Sequence, residues 1–177
     1  MEKIRVIIEN KQKNVKIPTG MRMLVRRACT ATLRAEEFPY PAEISVTFVN
    51  DEQIHELNKQ YRNKDVPTDV LSFPMGENGV YDENHDTGAK ILGDIVISME
   101  TAVEQAQRSN RTFEHEVCHL TVHSMLHLLG YDHENGGLER VRMFEKEEKI
   151  MTELGFPSTS SYLFEEGDKQ TRWRACH

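Results

Sequence analysis

His123 and His127 stand four residues apart in the run His123-Ser124-Met125-Leu126-His127-Leu128-Leu129-Gly130-Tyr131-Asp132-His133. On a helix that spacing puts both imidazoles on one face, one turn apart, where they can reach a single ion. Gly130 supplies the positive φ that lets the backbone reverse, and the reversal can bring His133 round as a third ligand. Three neutral imidazoles leave the fourth position of a tetrahedral Zn2+ open for water, the arrangement of a catalytic rather than a structural site. Imidazole also suits Ni2+ and Fe2+, so the residues alone do not choose among these ions. A lone histidine in an apolar helix is ordinarily a core residue. Three at this spacing, with a glycine in register, point to a metal.

The spacing matches H-x-x-x-H-x-x-G-x-x-H, the metzincin-like pattern, except that Ser124 stands where that pattern has Glu. A zinc protease needs a general base beside the metal to activate water, and a serine hydroxyl cannot serve. A competing motif lies upstream. His115-Glu116-Val117-Cys118-His119 is a literal H-E-x-x-H, with Glu139 twenty residues further on as a third candidate ligand. It lacks a nearby turn delivering a third histidine, and His119 competes with His123 for almost the same face. His115 and His119 are therefore expected to be partly exposed or to neighbour the metal ligands.

The other motifs carry less. Asp82-x-Asn84-x-Asp86 imitates the start of a calcium loop, but Thr87 occupies the sixth position and Gly93 the twelfth, so it fails. Met143, ten residues after His133, suggests a Met-turn yet sits inside a helical pattern, where core packing is expected. Trp173 lies between Arg172 and Arg174 in a terminal segment with no packing pattern around it.

The histidine run must ride on a helix, and the chain around it alternates strands with helices. Residues 3–9, 43–49, 70–73 and 92–98 read as strands, the first two from alternation of apolar and polar residues, the first of them rich in Ile and Val. Helices are expected over about 21–36, 51–61, 99–109, 111–129 and 134–154. Asn50-Asp51 caps the second, and Gly130 ends the fourth. A Gly/Asp/Asn-rich stretch, roughly 75–89, reads as a loop. The expected class is α+β: one domain over 1–157, with a mixed sheet of about four strands packed by helices and a central metal-binding helix. Residues 158–177 read as a C-terminal tail.

Composition bounds the function. The 177 residues (20.5 kDa, mean hydropathy −0.60) contain no apolar run long enough to span a bilayer. The N-terminal apolar patch is short and broken by Arg5, unlike a secretory signal. Three dispersed cysteines (Cys29, Cys118, Cys176) without a C-x-x-C argue against a disulfide framework and suit a reducing cytosol. A cytoplasmic protein without membrane contact is expected. The net charge of −7 hides a split, because residues 1–34 hold nine Lys/Arg against two Glu, leaving −14 for the remainder. The basic segment is either an anion-facing surface or a solvated helix face.

Three blocks together carry a family resemblance: Asn58 to Pro74 (NKQYRNKDVPTDVLSFP), Leu92 to Ser98 (LGDIVIS) and the HSMLHLLGYDH run. In that order, within residues 43–154, they closely resemble the YbeY family of bacterial endoribonucleases and rRNA maturation factors. The resemblance implies a single-strand-specific, metal-dependent endoribonuclease acting in 3′-end maturation of small-subunit rRNA and in ribosome quality control. It implies one Zn2+ held by His123, His127 and His133, a functional arginine at Arg62, and single-stranded RNA, rRNA and the ribosome or its proteins as partners. Oligomeric state stays open. The planar, permanently charged guanidinium of Arg62 suits bidentate grip on a phosphate, although it could instead pair with Asp65 or Asp69. Ser124 departs from the family's glycine, and its hydroxyl could bond the helix backbone or a bound water. Two other functions remain open on the residues alone: a zincin-like metalloprotease, and a non-catalytic ribosome-assembly factor with a structural metal.

Overall fold

Ala42, Ile44, Val46 and Phe48 are buried and alternate with half-buried Glu43, Ser45 and Thr47, so this segment turns one face to the core with a period of two. In the computed structural model, which describes residues 3–77, 79–132 and 136–157, it forms strand β2 (Ala42–Val49). The other strands are β1 (Ile4–Asn10), β3 (Val70–Pro74), β4 (Gly76–Glu77), β5 (Val80–Glu83) and β6 (Lys90–Ser98). The helices are α1 (Met21–Ala35), α2 (Asp51–Arg62), α3 (Met99–Arg108), α4 (Phe113–Leu128) and α5 (Gly137–Glu153). The class is α+β with one mixed sheet, as the alternation of patterns implied.

β1 runs parallel to β2, and β2 parallel to β6. The opposite edge of β6 pairs antiparallel with β3 over Gly93–Ile97 and with β5 over Lys90–Ile91. The sheet has six strands rather than about four. The additions are β4 and β5, a short hairpin inside the stretch read as a loop. These strands are two and four residues long and mostly exposed, so no buried face imposes an alternating pattern on them. Main-chain pairing, of β4 with β5 and of β5 with β6, holds them instead. Residues 158–177, assigned to a tail, lie outside the described residues.

Local chemistry starts the helices where expected. Asn50 Oδ1 accepts from the Gln53 amide at 2.8 Å, and Gln53 Oε1 accepts from the Asn50 amide at 2.9 Å, closing a reciprocal capping box on α2. Thr112 Oγ1 accepts from the His115 amide at 3.0 Å and starts α4. The arginines Arg22, Arg26, Arg27 and Arg34 line the exposed side of α1.

α4 is the axis of the molecule. From Glu116 to Leu126 every residue is buried, as expected of a helix packed on all sides. It lies against β3 and β6 on one side and against α1, α3 and α5 on others. Leu120, Met125 and Leu128 join the sheet-side core, while Cys118, Val122 and Leu126 pack with Met143, Ile150 and Met151 of α5. Met143 is thus a core residue.

Candidate metal centre

α4 ends in a turn built by Gly130. Its φ of 103° is the left-handed conformation expected there, with Gly130 N donating to His127 O and Tyr131 N to Leu126 O, both at 3.0 Å. This 6→1 and 5→2 pair is a Schellman cap. The cap has a second consequence. Reversing the chain brings the Tyr131 carbonyl back over the helix end, where it lies 2.8 Å from His127 Nδ1. His123, one turn earlier and buried, meets the Glu147 carboxylate of α5 through its own Nδ1.

These two contacts fix the rings. A carbonyl and a carboxylate only accept, so Nδ1 carries the proton in both histidines, and Nε2 is left to bind something else. The two Nε2 atoms face each other at 3.0 Å. Two lone pairs do not stay at that distance without positive charge between them, so the pair is built to share a cation, a proton or a metal ion. Ligating histidines usually donate their other ring N–H to a carboxylate or a main-chain carbonyl, as both rings do here. The donor set therefore fits a borderline divalent metal. Among the described residues no group of three His, Cys, Asp or Glu side chains comes together around one point. His133, the third histidine of the motif, lies outside the described residues.

Sequence reasoning missed Glu147. It is 1% exposed, with Oε2 3.5 Å from His119 Nε2 and Oε1 against His123. Burial alone would raise its pKa, but the charge of the facing His123 and the nearness of His119 reverse that and hold the carboxyl below the usual range. Burial likewise pushes His123 down, yet Glu147 outweighs it, first through its charge and then through its hydrogen bond, and raises the imidazole. A signal was present. Met143, Glu147, Ile150 and Met151 recur at helical spacing along the buried stripe of α5, and only one of them is charged.

The competing H-E-x-x-H does not assemble. Glu116 is turned to Arg111 at 3.2 Å, the His115 ring packs on Phe156 at 4.8 Å between centroids, and Glu139 is exposed. His119 is 2% exposed rather than partly exposed, and it backs Glu147, so it does neighbour the candidate ligands. Ser124 is fully buried, and its hydroxyl has no partner among the described residues; it does not bond the helix backbone.

Arg62 closes α2 with an exposed side chain whose Nη2 donates to the Ser72 carbonyl of β3 at 3.2 Å. It pairs with neither Asp65 nor Asp69. Asp65 is held by His55 at 2.7 Å, and Asp69 points inward, accepting from the Val70 amide at 2.8 Å and from Gln105 at 3.3 Å. Burial pushes the Asp69 carboxyl up to about 6, against the lowering influence of His123 and of these hydrogen bonds. Arg62 thus lies over β3, a strand that packs directly on α4.

The family model described as endoribonuclease YbeY matches residues 7–155. A protein named endoribonuclease YbeY from Caldanaerobacter subterraneus subsp. tengcongensis is 51% identical over 160 residues, covering 86% of this chain and 98% of its own. The protein of that name from Acetivibrio thermocellus is 42% identical over 158 residues, covering 85% and 97%. The solution structure of a Thermotoga maritima protein superposes with a TM-score of 0.56 at 31% identity, covering 84% of this chain and 88% of that one. A match over nearly all of the described residues, in sequence and in fold alike, makes the chain a member of the endoribonuclease YbeY family.

Proposed function

We propose that this chain is a metal-dependent endoribonuclease that hydrolyses phosphodiesters of single-stranded RNA. Its place is 3′-end maturation of small-subunit rRNA and ribosome quality control, in the cytoplasm and in contact with the ribosome. Family membership supports the endoribonuclease role. The observation that carries the metal dependence is the facing Nε2 pair of His123 and His127, each with its Nδ1 proton anchored on an acceptor.

His123 and His127 would hold one zinc ion or another divalent transition metal, with His133 as the third ligand. Such an ion supplies a Lewis acid for a phosphoryl oxygen and lowers the pKa of a bound water to about 7. Arg62, reaching out over β3, would grip the phosphate beside the scissile bond and offset charge that grows in the transition state. Residues 1–157 would carry the activity without residues 158–177. A protease reading has no support in the geometry, because Glu116 is engaged by Arg111 and no carboxylate stands where Ser124 does.

The test is cleavage of matched structured and unstructured RNA by the purified protein. Cleavage should be confined to the unstructured RNA, lost in His127→Ala and on chelation, and restored by zinc in the wild type alone. Arg62→Ala should slow cleavage on the order of 100-fold while leaving zinc binding intact. Full cleavage by the chelated protein or by His127→Ala overturns the metal mechanism. In cells lacking the protein, small-subunit rRNA with extended 3′ ends should accumulate; normal ends would overturn the maturation role.

A further inference from the structure

The facing of two Nε2 atoms depends on what holds the other side of each ring. For His127 that is a main-chain carbonyl, fixed by the helix cap itself. His123 has no such fixture, because it lies inside the helix where carbonyls are engaged in the ladder. Its Nδ1 meets a side chain from another helix, the Glu147 carboxylate. Glu147 in turn meets His123 through Oε1, while its Oε2 lies 3.5 Å from Nε2 of His119, a ring one helical turn before His123, close enough for charge attraction but not hydrogen-bonded. The carboxylate thus faces two successive turns of α4 and is hydrogen-bonded to the later one. All three side chains are at least 97% buried, so water does not compete for these positions.

A buried carboxylate in the apolar stripe of α5 is costly unless something charged or strongly polar compensates it. Packing does not require it, since Met143, Ile150 and Met151 already join α5 to α4. We propose that Glu147 is a positioning residue that fixes His123 as its Nδ1–H tautomer, aims Nε2 at the metal and raises its basicity. This rests on the metal-site reading given above, and it assigns the role to α5, an element outside the histidine motif. Outer contacts of this kind are worth about 10–100-fold in metal affinity.

Two substitutions separate charge from hydrogen bonding. Glu147→Gln keeps an acceptor for the Nδ1 proton and removes the charge, whereas Glu147→Met keeps the volume and removes both. Zinc affinity is measured by competition with a chromophoric chelator, beside His127→Ala as the reference. Ring tautomers are read from two-bond proton–nitrogen NMR correlations in the full chain at alkaline pH, without metal.

The expected wild-type signature is a protonated Nδ1 on His123. Glu147→Gln should retain it and bind zinc about 10-fold more weakly, and Glu147→Met should move the proton to Nε2 and bind about 100-fold more weakly. An Nε2–H tautomer in the wild type overturns the proposal without any variant, so failure of Glu147→Met to fold does not shield it. Wild-type affinity in both Glu147 variants, with clear weakening in His127→Ala, overturns the role of Glu147 alone. If His127→Ala binds zinc as well as the wild type, the metal-site reading fails first, and the proposed aim of His123 toward a metal fails with it.

Discussion

The hydroxyl of Tyr81 donates to the carbonyl of Leu128 at 3.0 Å, tying the β4–β5 hairpin to the last turn of the histidine helix. Leu128 O is among the four terminal carbonyls that no later amide of α4 can reach, so an outside donor is needed. Burial raises the Tyr81 phenol, which keeps it protonated and a donor through the neutral range. Tyr81→Phe keeps the ring, including its edge contact with Phe38, and removes only the donor. It should cost about 1 kcal/mol, a fall in Tm of roughly 2–4 °C for a domain of this size. Thermal unfolding of the two proteins checks this, and an unchanged Tm would show that the hairpin does not brace α4.

Gly93 allows the same helix end to approach the sheet. Its φ of 144° falls in the region that L residues rarely adopt, beside the register shift between Glu43 and Ile44 of β2. A Cβ there would lie 2.3 Å from the Phe73 carbonyl oxygen and 2.9 Å from Leu128 Cδ2. The Phe73 oxygen belongs to the β3 backbone and cannot yield without disturbing the β3–β6 ladder. Gly93→Ala should therefore destabilise by on the order of 3 kcal/mol or more, combining backbone strain with overpacking. Urea unfolding gives the value, and a midpoint equal to wild type would contradict the close approach.

How much of this was readable beforehand differs from residue to residue. The i, i+4 histidines, the helix that carries them and the turn at Gly130 are local patterns, and all three stand where spacing puts them. Glu147 is harder, because its partners are on another helix and its neighbours Glu145, Lys146 and Glu148 make it look like part of a solvated charge run. Only its place on the stripe of Met143, Ile150 and Met151 distinguishes it. The partner of Arg62 was not readable at all. Ser72 contributes a main-chain carbonyl, and a carbonyl leaves no trace in the residue type. The β4–β5 hairpin was missed for the related reason that main-chain pairing, and no buried face, creates it.

Ser124 is the residue between the metal motif and its variations. Its hydroxyl is buried without a partner among the described residues, whereas Thr121 and Thr32 satisfy theirs by bonding the carbonyl four residues back, each at 2.8 Å. An unpaired buried hydroxyl is a liability of about 1–3 kcal/mol, and alanine is the better helix former. Ser124→Ala should thus stabilise the protein by roughly 1 kcal/mol and leave RNA cleavage unchanged. Loss of cleavage with intact zinc binding would instead make the hydroxyl part of the chemistry.

Asp69 gives the fold a pH dependence of unusual sign. Its carboxyl is buried, which raises it from 3.8 to about 6, so the folded protein holds this proton more tightly than the unfolded chain does. Below about pH 4 both states are protonated and the group contributes no penalty. Between roughly pH 4 and 6 the unfolded chain has released the proton and the folded one has not, so stability falls as pH rises. Above pH 6 the penalty is complete, about 3 kcal/mol from a shift of this size. Asp69→Asn has no carboxyl to ionise and keeps an oxygen for the Val70 amide. The variant should therefore gain on the wild type progressively from pH 4 to 6 and hold a constant advantage above it. Urea unfolding of both proteins in chelator, so that metal binding does not contribute, measures the difference. A gap that does not widen with pH would mean that Asp69 is ionised in the folded state throughout, stabilised by His123 and Gln105 more strongly than burial opposes it.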